Sequence, residues 1–326
     1  MSVPNNTFSE MAAVMRSAKR IGIASHIRPD GDAIGSLLGL ALSLRLEGKQ
    51  VIPLSNDGVP WNLAFLPGTD QIVKPAGDVL ELDLAISVDT ASKERVGPNS
   101  VIAMSAAKKS INIDHHGSNP RYADLNYIDS TAPAVGQILY DFLSAENFPM
   151  DDAVRQNLFA AISTDTGSFQ FPSTTARTHQ IAAEMINAGL DTGALASKLY
   201  DQHPMRRVEL LRAMLNEMQF RKGQRIVSWN YTQAAKKQLN VQQGDTEGLI
   251  DHLRAIDTVV AAVIFEEQKD GNIRISARSK SDAVNVAEVC GRFGGGGHRL
   301  AAGATLPGPI TAAAETYLNE LENEVG

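Results

Sequence analysis

A short acidic turn between a predicted strand and a predicted helix constrains the fold of this chain more than any other segment. The apolar run 21–24 predicts a buried strand, and the pattern of residues 33–46 predicts a helix. His26, Asp30 and Asp32 are therefore expected on a turn at the carboxyl end of a strand, where open α/β sheets bind their ligands. Such a cluster of charged groups needs a counter-charge, which a divalent cation would supply. The alternative interpretation is a surface loop in which Asp32 caps the next helix.

The order of strand and helix patterns predicts the fold class. Strand patterns at 20–25, 51–54, 82–88 and 111–113 alternate with helical stretches, and helical patterns dominate from residue 133 to about residue 215. This alternation is typical of an α/β protein with a doubly wound, mostly parallel sheet.

The pattern changes near residue 220, which indicates a second domain. Strands are predicted at 225–229, 258–265 and 273–279, with a hairpin turn at Asp270-Gly271 and a helix over 310–324. A chain of 326 residues is also long enough for two domains. We expect an N-terminal domain with the metal centre over 1–190, a helical connector over 191–218, a smaller α/β substrate-binding domain over 219–326, and a cleft between the two domains.

Composition and charge exclude several classes of protein. The formal net charge of −7 argues against a protein that coats long nucleic acids, so a nucleic-acid substrate should be short and held by a local basic pocket. The single cysteine, Cys290, excludes an internal disulfide and a thiolate zinc cluster, and its apolar neighbours predict a core thiol. We find neither a signal-peptide pattern nor an apolar run long enough to span a membrane, so we expect a cytoplasmic protein.

Three more polar segments follow apolar runs further along the chain. Asp89 ends one predicted strand, Asp114-His115-His116 ends another, and Asp165 follows a helical run. Because parallel strands end at the same edge of a sheet, these side chains can converge with the first acidic turn. Alone, Asp89 or Asp165 is typical of a helix cap, and the histidine pair is typical of a core.

The combined set predicts a two-metal centre, formed by His26, Asp30, Asp32, Asp89, His115 and Asp165. Its four carboxylates balance the charge of two divalent cations. Carboxylates with a minority of imidazoles favour manganese, or magnesium at lower affinity, while iron stays open. Two such ions about 3.5–4 Å apart activate water against a phosphoryl group. The set therefore predicts phosphoester hydrolysis without a covalent intermediate.

A glycine run near the C-terminus predicts a phosphate contact. Four consecutive glycines, 294–297, expose backbone N–H groups and precede His298 and Arg299, while Arg278 and Lys280 lie upstream. The residues 300–302 predict a helix that begins just after the glycines, with its N-terminus favouring an anion. We expect Arg278 and His298 to bind substrate phosphates, whereas the alternative is a flexible turn.

The order of these motifs resembles that of the DHH phosphoesterase superfamily, which is named for the triplet found here at 114–116. The glycine run with His298, the segment Arg278-Ser279-Lys280 and the segment Val284-Asn285-Val286 are similar to the DHH-associated C-terminal domain. Length and motifs are most similar to the bacterial branch of bifunctional nanoRNases that also act on 3′-phosphoadenosine 5′-phosphate (pAp).

The resemblance implies a role for each matching residue. One cation would be held by His26, Asp30 and Asp89, and the other by Asp32, Asp89, His115 and Asp165, so that Asp89 bridges them. His116 would lie beside the scissile phosphate, and Asp114 would orient the histidines. The implied substrate-binding residues are Arg278, Ser279, Lys280, Asn285, Gly294, Gly295, Gly296, Gly297 and His298.

The same resemblance implies short RNA oligonucleotides, linear dinucleotides and pAp as partners, without long nucleic acid or membrane. A homodimer, the direction of degradation and the ranking of these substrates stay open.

Four other functions compete with this interpretation. A phosphatase or cyclic-dinucleotide phosphodiesterase of the same superfamily would use the same centre. A family II inorganic pyrophosphatase shares the opening motif. That family carries a Ser-Arg-Lys-Lys-Gln signature, whereas this chain has only Ser276-Ala277-Arg278-Ser279-Lys280, and the glycine run is foreign to that family. A single-strand DNA exonuclease would be longer, with an added nucleic-acid-binding fold. A non-catalytic nucleotide sensor should have a substituted ligand, and the six positions keep theirs.

Overall fold

The computed structural model describes residues 4–242 and 244–325, and the chain divides into two compact units, Met1–Gln202 and His203–Gly326. Among the described residues, no helix combines the length and apolar character that a membrane crossing requires. The predicted connector, 191–218, contains two helices that fall in different units.

The first unit alternates strands and helices, as the sequence predicts. Its strands are β1 Arg20–Ala24, β2 Gln50–Leu54, β3 Leu84–Val88, β4 Lys109–Asp114 and β5 Leu125–Ile128. Its helices are α1 Phe8–Ser17, α2 Gly31–Leu46, α3 Pro98–Met104, α4 Val135–Ala145, α5 Asp152–Asp165, α6 Ala176–Asn187 and α7 Thr192–Tyr200. Short 3-10 turns occur at Trp61–Leu63, Thr69–Gln71 and Lys93–Val96.

The five strands form one parallel sheet in the order β2-β1-β3-β4-β5. The predicted α/β class with a parallel sheet is therefore confirmed. The strand order reverses between β1 and β3, and a reversal of this kind opens a crevice at the carboxyl ends of the two strands. The fold itself thus selects the residues that follow β1 and β3 as the place for a ligand.

Apolar side chains cover both faces of this sheet. Alternate residues of β1 point to opposite faces, so Ile21 and Ile23 join the main core with α2, α4 and α5. On the other face, Ala24 and Leu54 pack with Val96 and Ala103. Burial on both faces explains why these strands read as continuous apolar runs.

One strand of the sheet, β5, was not among the predicted strands. It has four residues and lies at the sheet edge. The N-terminal segment covers it, because Asn6 N donates to Asn126 O at 3.0 Å and Ile128 N donates to Asn5 Oδ1 at 2.9 Å. These bonds occupy backbone groups that an open edge would leave unpaired.

Helices α2 and α5 approach each other closely because α2 presents glycine at every fourth position. A Cβ added at Gly35 would collide with the backbone carbonyl oxygen of Asn157, and one at Gly39 would lie 2.6 Å from Leu158 Cδ2. A Cβ at Gly136 of α4 would similarly lie 2.5 Å from Ala161 Cβ. Close backbone contact therefore fixes how α2, α4 and α5 sit relative to one another.

The second unit is built on a six-stranded mixed sheet in the order β10-β11-β9-β8-β7-β6, in which only the β7–β8 pair is parallel among the described strands. Its strands are β6 Gln219–Arg221, β7 Ile226–Tyr231, β8 Ala261–Glu267, β9 Asn272–Ser279, β10 Gly296–His298 and β11 Ala301–Pro307. Its helices are α8 Met205–Glu217, α9 Gln233–Gln238, α10 Leu249–Arg254, α11 Val286–Gly291 and α12 Ile310–Glu324.

The predicted strands, the hairpin turn and the final helix of this unit are present. Asp270 and Gly271 join β8 to β9, and Gly271 has a φ of 83°. Cys290 is fully buried on α11, which confirms the predicted core thiol.

The helix predicted just after the glycine run is wrong. Residues 301–307 form strand β11, which pairs with β10 and places His298 opposite Ala301. Added Cβ atoms at Gly295 and Gly297 would collide with the backbone oxygens of Gly303 and Ala301. The glycines therefore permit a tight antiparallel ribbon, and the anion site expected at a helix N-terminus does not exist there.

Candidate metal centre

The acidic turn and the segments after β3 and β4 meet at one edge of the parallel sheet. His26 follows β1 by two residues, Asp89 directly follows β3, and His115 directly follows β4. Two helix ends complete the group, because Asp30 caps the N-terminus of α2 and Asp165 is the last residue of α5. The sheet therefore brings together residues that are far apart in sequence.

Asp89 lies at the centre of this group, with an imidazole facing each carboxylate oxygen. Its Oδ2 is 3.3 Å from His26 Nε2, and its Oδ1 is 3.6 Å from His115 Nε2. His26 Nε2 is also 3.6 Å from Asp30 Oδ2, and His115 Nε2 is 3.6 Å from Asp165 Oδ2. Two ligand atoms that share an ion at about 2.1 Å, roughly 90–110° apart, are separated by about 3.0–3.4 Å. The four distances, 3.3–3.6 Å, lie within or just above this range, so small side-chain shifts would bring each pair of atoms onto a shared cation.

Of the groups of ligand atoms around Asp89, which include Asp89 with Asp114 and His116, two match the expected pair of ions. The first comprises His26, Asp30 and Asp89, and the second comprises Asp32, Asp89 and His115, with the ligand atoms of each set within 4.8 Å of one another. Asp165 adjoins the second set through His115. Both sets contain Asp89, as the sequence resemblance implies.

The electrostatics of the centre favour bound cations. Burial, together with the charges of Asp89 and Asp165, raises the pKa of Asp32 well above its ordinary value. Burial and the neighbouring carboxylates raise the pKa of Asp165 to about 7. Burial alone would lower the pKa of His115, but Asp165 and Asp89 raise it to about 9. Without cations the centre holds protons instead, which is typical of a site with excess negative charge.

Asp32 is held in place by the start of another helix. Val135 N donates to its Oδ2 at 2.7 Å, and Gly136 N donates to its Oδ1 at 2.9 Å. The residue before helix α4 provides no side-chain cap. The Asp32 carboxylate, which is remote in sequence, caps the helix instead. Ser36 Oγ also donates to Asp32 Oδ1 at 2.8 Å. The alternative interpretation, a cap on the helix after the turn, therefore fits Asp30 rather than Asp32.

Asp89 has an uncommon backbone conformation. Its φ of 50° lies in the left-handed region, and its N–H donates to Ile113 O at 3.0 Å. Left-handed non-glycine residues cost free energy and concentrate at functional sites, although Asp tolerates this region better than most residues. The bond to Ile113 ties the Asp89 backbone to the neighbouring strand.

His116 is oriented by a fully buried carboxylate. His116 Nδ1 lies 2.8 Å from Asp114 Oδ1, and Asn119 Nδ2 donates to Asp114 Oδ2 at 2.7 Å. Burial opposes ionisation of Asp114, but these contacts keep its pKa below the ordinary value. Ser36 and Asn119 were missed in the sequence. The one-turn spacing of Ser36 from Asp32 on α2 is the signal that could have revealed it.

Of the residues predicted to bind substrate, Arg278 and His298 lie on one cross-strand row of the second unit. Both stand opposite Ala301, on β9 and β10 respectively. Directly opposite residues of antiparallel strands share a face, so the two basic side chains point to the same face, about 10 Å apart at their Cα atoms.

The other predicted substrate residues of this unit contact its own backbone. Ser279 is buried and its hydroxyl donates to Ser281 O at 2.8 Å, while Lys280 Nζ donates to Ile256 O at 2.5 Å. Asn285 caps α11, and Arg299 Nε donates to Asp282 O at 2.9 Å. Gly294 and Gly296 are exposed.

Comparison with known proteins places these features in context. Residues 20–163 match the family model described as DHH family, N-terminal domain, and residues 229–326 match that of the DHHA1 domain. A Streptococcus mutans protein named probable bifunctional oligoribonuclease and PAP phosphatase NrnA is 32% identical over 300 residues, which is 91% of this chain and 93% of that protein.

Solved structures agree on the fold. An exopolyphosphatase-related protein from Bacteroides fragilis superposes with a TM-score of 0.87 at 23% identity, covering 97% of this chain and 95% of that one. RecJ from Thermus thermophilus, solved in complex with Mn²⁺, superposes with a TM-score of 0.54 at 15% identity, covering 98% of this chain and 55% of that one.

Proposed function

This chain belongs to the DHH phosphoesterase family, and from that premise we propose that it hydrolyses very short RNA oligonucleotides to mononucleotides and pAp to AMP. Both activities correspond to the name of the Streptococcus mutans relative, which matches this chain over nearly its whole length. The acidic net charge of −7 supports a short substrate over a long strand.

The observation that carries the proposal is the pair of ligand sets that share Asp89. The first cation would be bound by His26, Asp30 and Asp89, and the second by Asp32, Asp89, His115 and Asp165. The donors fit divalent cations, because burial and neighbouring carboxylates raise the pKa values of Asp32 and Asp165, and histidines lie within ion-pair distance of Asp30, Asp89 and Asp165. Carboxylates with two imidazoles favour manganese, with magnesium as the weaker choice. When bound, such ions supply an activated water and stabilise the leaving oxygen.

The protein's own residues would position the phosphate. Asp114 orients the His116 ring at 2.8 Å, and we assign His116 to the scissile phosphate. In the second unit, Arg278 and His298 present two basic groups on one face of the sheet, which suits the phosphates beyond the cleaved bond.

The test is an activity panel over pAp, di- to decaribonucleotides, cyclic dinucleotides and pyrophosphate. We expect manganese to support hydrolysis of dinucleotides and pAp, a chelator to abolish it, and manganese to restore it better than magnesium. The variant Asp89→Asn should lose both activities, because it weakens both cation sites. The matched control Asp78→Asn changes an exposed aspartate of the same unit and should keep wild-type rates. Pyrophosphate or a cyclic dinucleotide as the fastest substrate would contradict the proposal.

A further inference from the structure

A buried polar network joins the carboxyl-terminal halves of β3 and β4. Asn112, in the middle of β4, is fully buried, and its Nδ2 donates to Ser87 O and Ser87 Oγ, both at 3.2 Å. Tyr122 OH donates to Ser87 Oγ at 2.9 Å and lies 3.2 Å from Thr90 O. Buried polar side chains are costly unless they are paired, and this network pairs them with one another.

Asn119 connects this network to Asp114 and His116. Its Nδ2 donates to Asp114 Oδ2 and to Asn112 Oδ1, both at 2.7 Å, and lies 3.2 Å from Thr90 O. An amide NH₂ has two hydrogens, so the two short bonds account for both, and Thr90 O takes a weaker share. The Asn119 Oδ1 is fixed in turn by Arg121 N at 2.8 Å. The amide therefore has one orientation that satisfies its neighbours.

The connection joins two parts of the centre that different strands supply. Thr90 directly follows Asp89, the residue that both cation sets share, whereas Asp114 holds His116. Asn119 N also donates to His116 O at 3.1 Å, so Asn119 contacts the histidine segment through both its backbone and its side chain. The Asn119 side chain is thus linked to the His116 ring through Asp114. Among the described residues, it makes no hydrogen bond to the His116 ring itself or to any of the six residues assigned to the cations.

We propose that Asn119 is a positioning residue for the hydrolytic reaction, which acts through Asp114 by fixing the carboxylate that orients His116. Tyr122 supports it by holding Thr90 O and Ser87 Oγ from the other side. The inference rests on the proposed function, because it assigns His116 to the reacting phosphate. Loss of the amide leaves Asp114 Oδ2 without its short donor, so the carboxylate turns and the His116 ring follows it.

The test is a double-mutant cycle between Asn119→Ala and His116→Ala, measured on a generic phosphodiester, bis(p-nitrophenyl) phosphate, with saturating manganese. Mutation of a residue that orients an active-site group typically lowers activity by about 10–100-fold. We therefore expect Asn119→Ala to lower kcat by that factor, while KM and the affinity for manganese stay near the wild-type values. The double variant should be no slower than His116→Ala alone, because a residue that acts through His116 has no effect once that ring is absent.

The matched control is Asn126→Ala, which removes another largely buried asparagine of the same unit. In the described part of the chain, its side chain hydrogen-bonds the Ala123 backbone, with Ala123 N donating at 3.2 Å and Ala123 O accepting at 2.7 Å, and it makes no hydrogen bond to the network. We expect this control to lower the melting temperature without changing kcat. Tyr122→Phe keeps the ring and removes the hydroxyl, so it tests the same connection if Asn119→Ala does not fold. Tyr122→Phe should lower kcat less than Asn119→Ala does. When combined with His116→Ala, it should not lower kcat any further.

Additive losses of kcat in the cycle would overturn the inference, because they would mean that Asn119 affects the reaction independently of His116. An unchanged kcat in Asn119→Ala would do the same. A different result would contradict the proposed function: a wild type that cleaves bis(p-nitrophenyl) phosphate but neither dinucleotides nor pAp.

Discussion

At the scale of single residues, we expect the Asp165 carboxylate to destabilise the metal-free protein. It ends helix α5, and the C-terminal end of a helix disfavours a negative charge. Burial, with Asp30 and Asp89 nearby, raises its pKa to about 7, against an ordinary value of 3.8. The same charge that destabilises the empty centre makes the site attractive to a cation. Stability and function therefore oppose each other at this position.

We predict that Asp165→Asn stabilises the protein in chelator while it abolishes manganese-dependent hydrolysis. Because the pKa of Asp165 is higher in the folded than in the unfolded protein, wild-type stability falls as pH rises from about 4 through about 7. The asparagine variant lacks this loss, so its advantage in melting temperature should be larger at pH 8 than at pH 5.

The control for this prediction is Asp78→Asn, which should leave the melting temperature unchanged at both pH values because Asp78 is exposed. With manganese added, the order should reverse, since the wild type gains stability from binding and the variant gains less. A lower melting temperature of Asp165→Asn at pH 8 in chelator would disprove the electrostatic argument.

At the scale of elements, the contact between α2 and α5 decides where two of the carboxylates stand. Gly35 faces the Asn157 backbone oxygen, Gly31 and Gly39 face the side chains of Thr164 and Leu158, and Asp32 and Asp165 lie at the adjoining helix ends. Asp32 in turn caps α4 through Val135 N and Gly136 N. The Asp32 carboxylate therefore joins α2 to α4, while α2 packs against α5, so we expect helix packing and cation binding to be coupled.

We predict that Gly35→Ala destabilises the protein by about 1–3 kcal/mol and weakens manganese binding, because the added Cβ meets the rigid backbone oxygen of Asn157. Gly39→Ala should cost less, since the Leu158 side chain that it meets can move. Denaturant unfolding and manganese titration measure the two effects.

The matched control is Gly193→Ala on the exposed surface of α7, where the nearest foreign atom, Asp191 Oδ1, is 3.5 Å from the added Cβ. Alanine favours a helix over glycine by about 1 kcal/mol, so this control should be neutral or stabilising. Equal effects at positions 35 and 193 would show that helix contact does not govern the centre.

At the scale of the whole molecule, the charge of the chain sets the length of its substrate. A net charge of −7 leaves little attraction for an extended strand, and the basic pair Arg278 and His298 occupies one short row of the second sheet. Recognition then depends on a few phosphates rather than on a continuous basic track.

We predict that hydrolysis is fastest on substrates of about two to five nucleotides and slow on a 24-mer. The logarithm of dinucleotide affinity should fall with the logarithm of salt concentration with a slope of only about −1, because one or two phosphates are neutralised. Kinetics on an oligonucleotide ladder at several salt concentrations give both results. A wild type that degrades the 24-mer as fast as the dimer would refute this prediction.

We also predict that Arg278→Ala weakens substrate binding by about 1–3 kcal/mol, the usual effect of losing a charge-assisted hydrogen bond, without changing manganese affinity. The matched control Arg274→Ala removes an arginine of the same strand that pairs with Glu266 at 3.2 Å. It should leave KM unchanged. Equal KM values for the two variants would argue against Arg278 as a phosphate ligand.

The sequence predicted the parts of this protein that follow from local pattern. Buried parallel strands are continuous apolar runs, and the polar residues that end them must meet at one edge, so His26, Asp89 and His115 could be placed together from spacing. The segment 300–302 was misread, because small apolar residues suit a helix and only pairing with β9 and β10 makes them a strand. The capping of α4 by Asp32 and the contacts of Asn119 arise from tertiary packing, which local pattern does not encode.

The backbone contact between α2 and α5 also has a consequence for ionic size. Where Gly35 faces the backbone oxygen of Asn157, the distance between the two helices is set by backbone atoms. Side-chain rotation therefore does not change that distance. Calcium takes six to eight oxygens at about 2.3–2.6 Å, whereas magnesium binds at about 2.0–2.1 Å with fewer protein ligands. To enclose calcium, the carboxylates of Asp32 and Asp165 would have to move apart with their helices. We therefore expect the centre to favour small cations, so that calcium competes poorly with manganese.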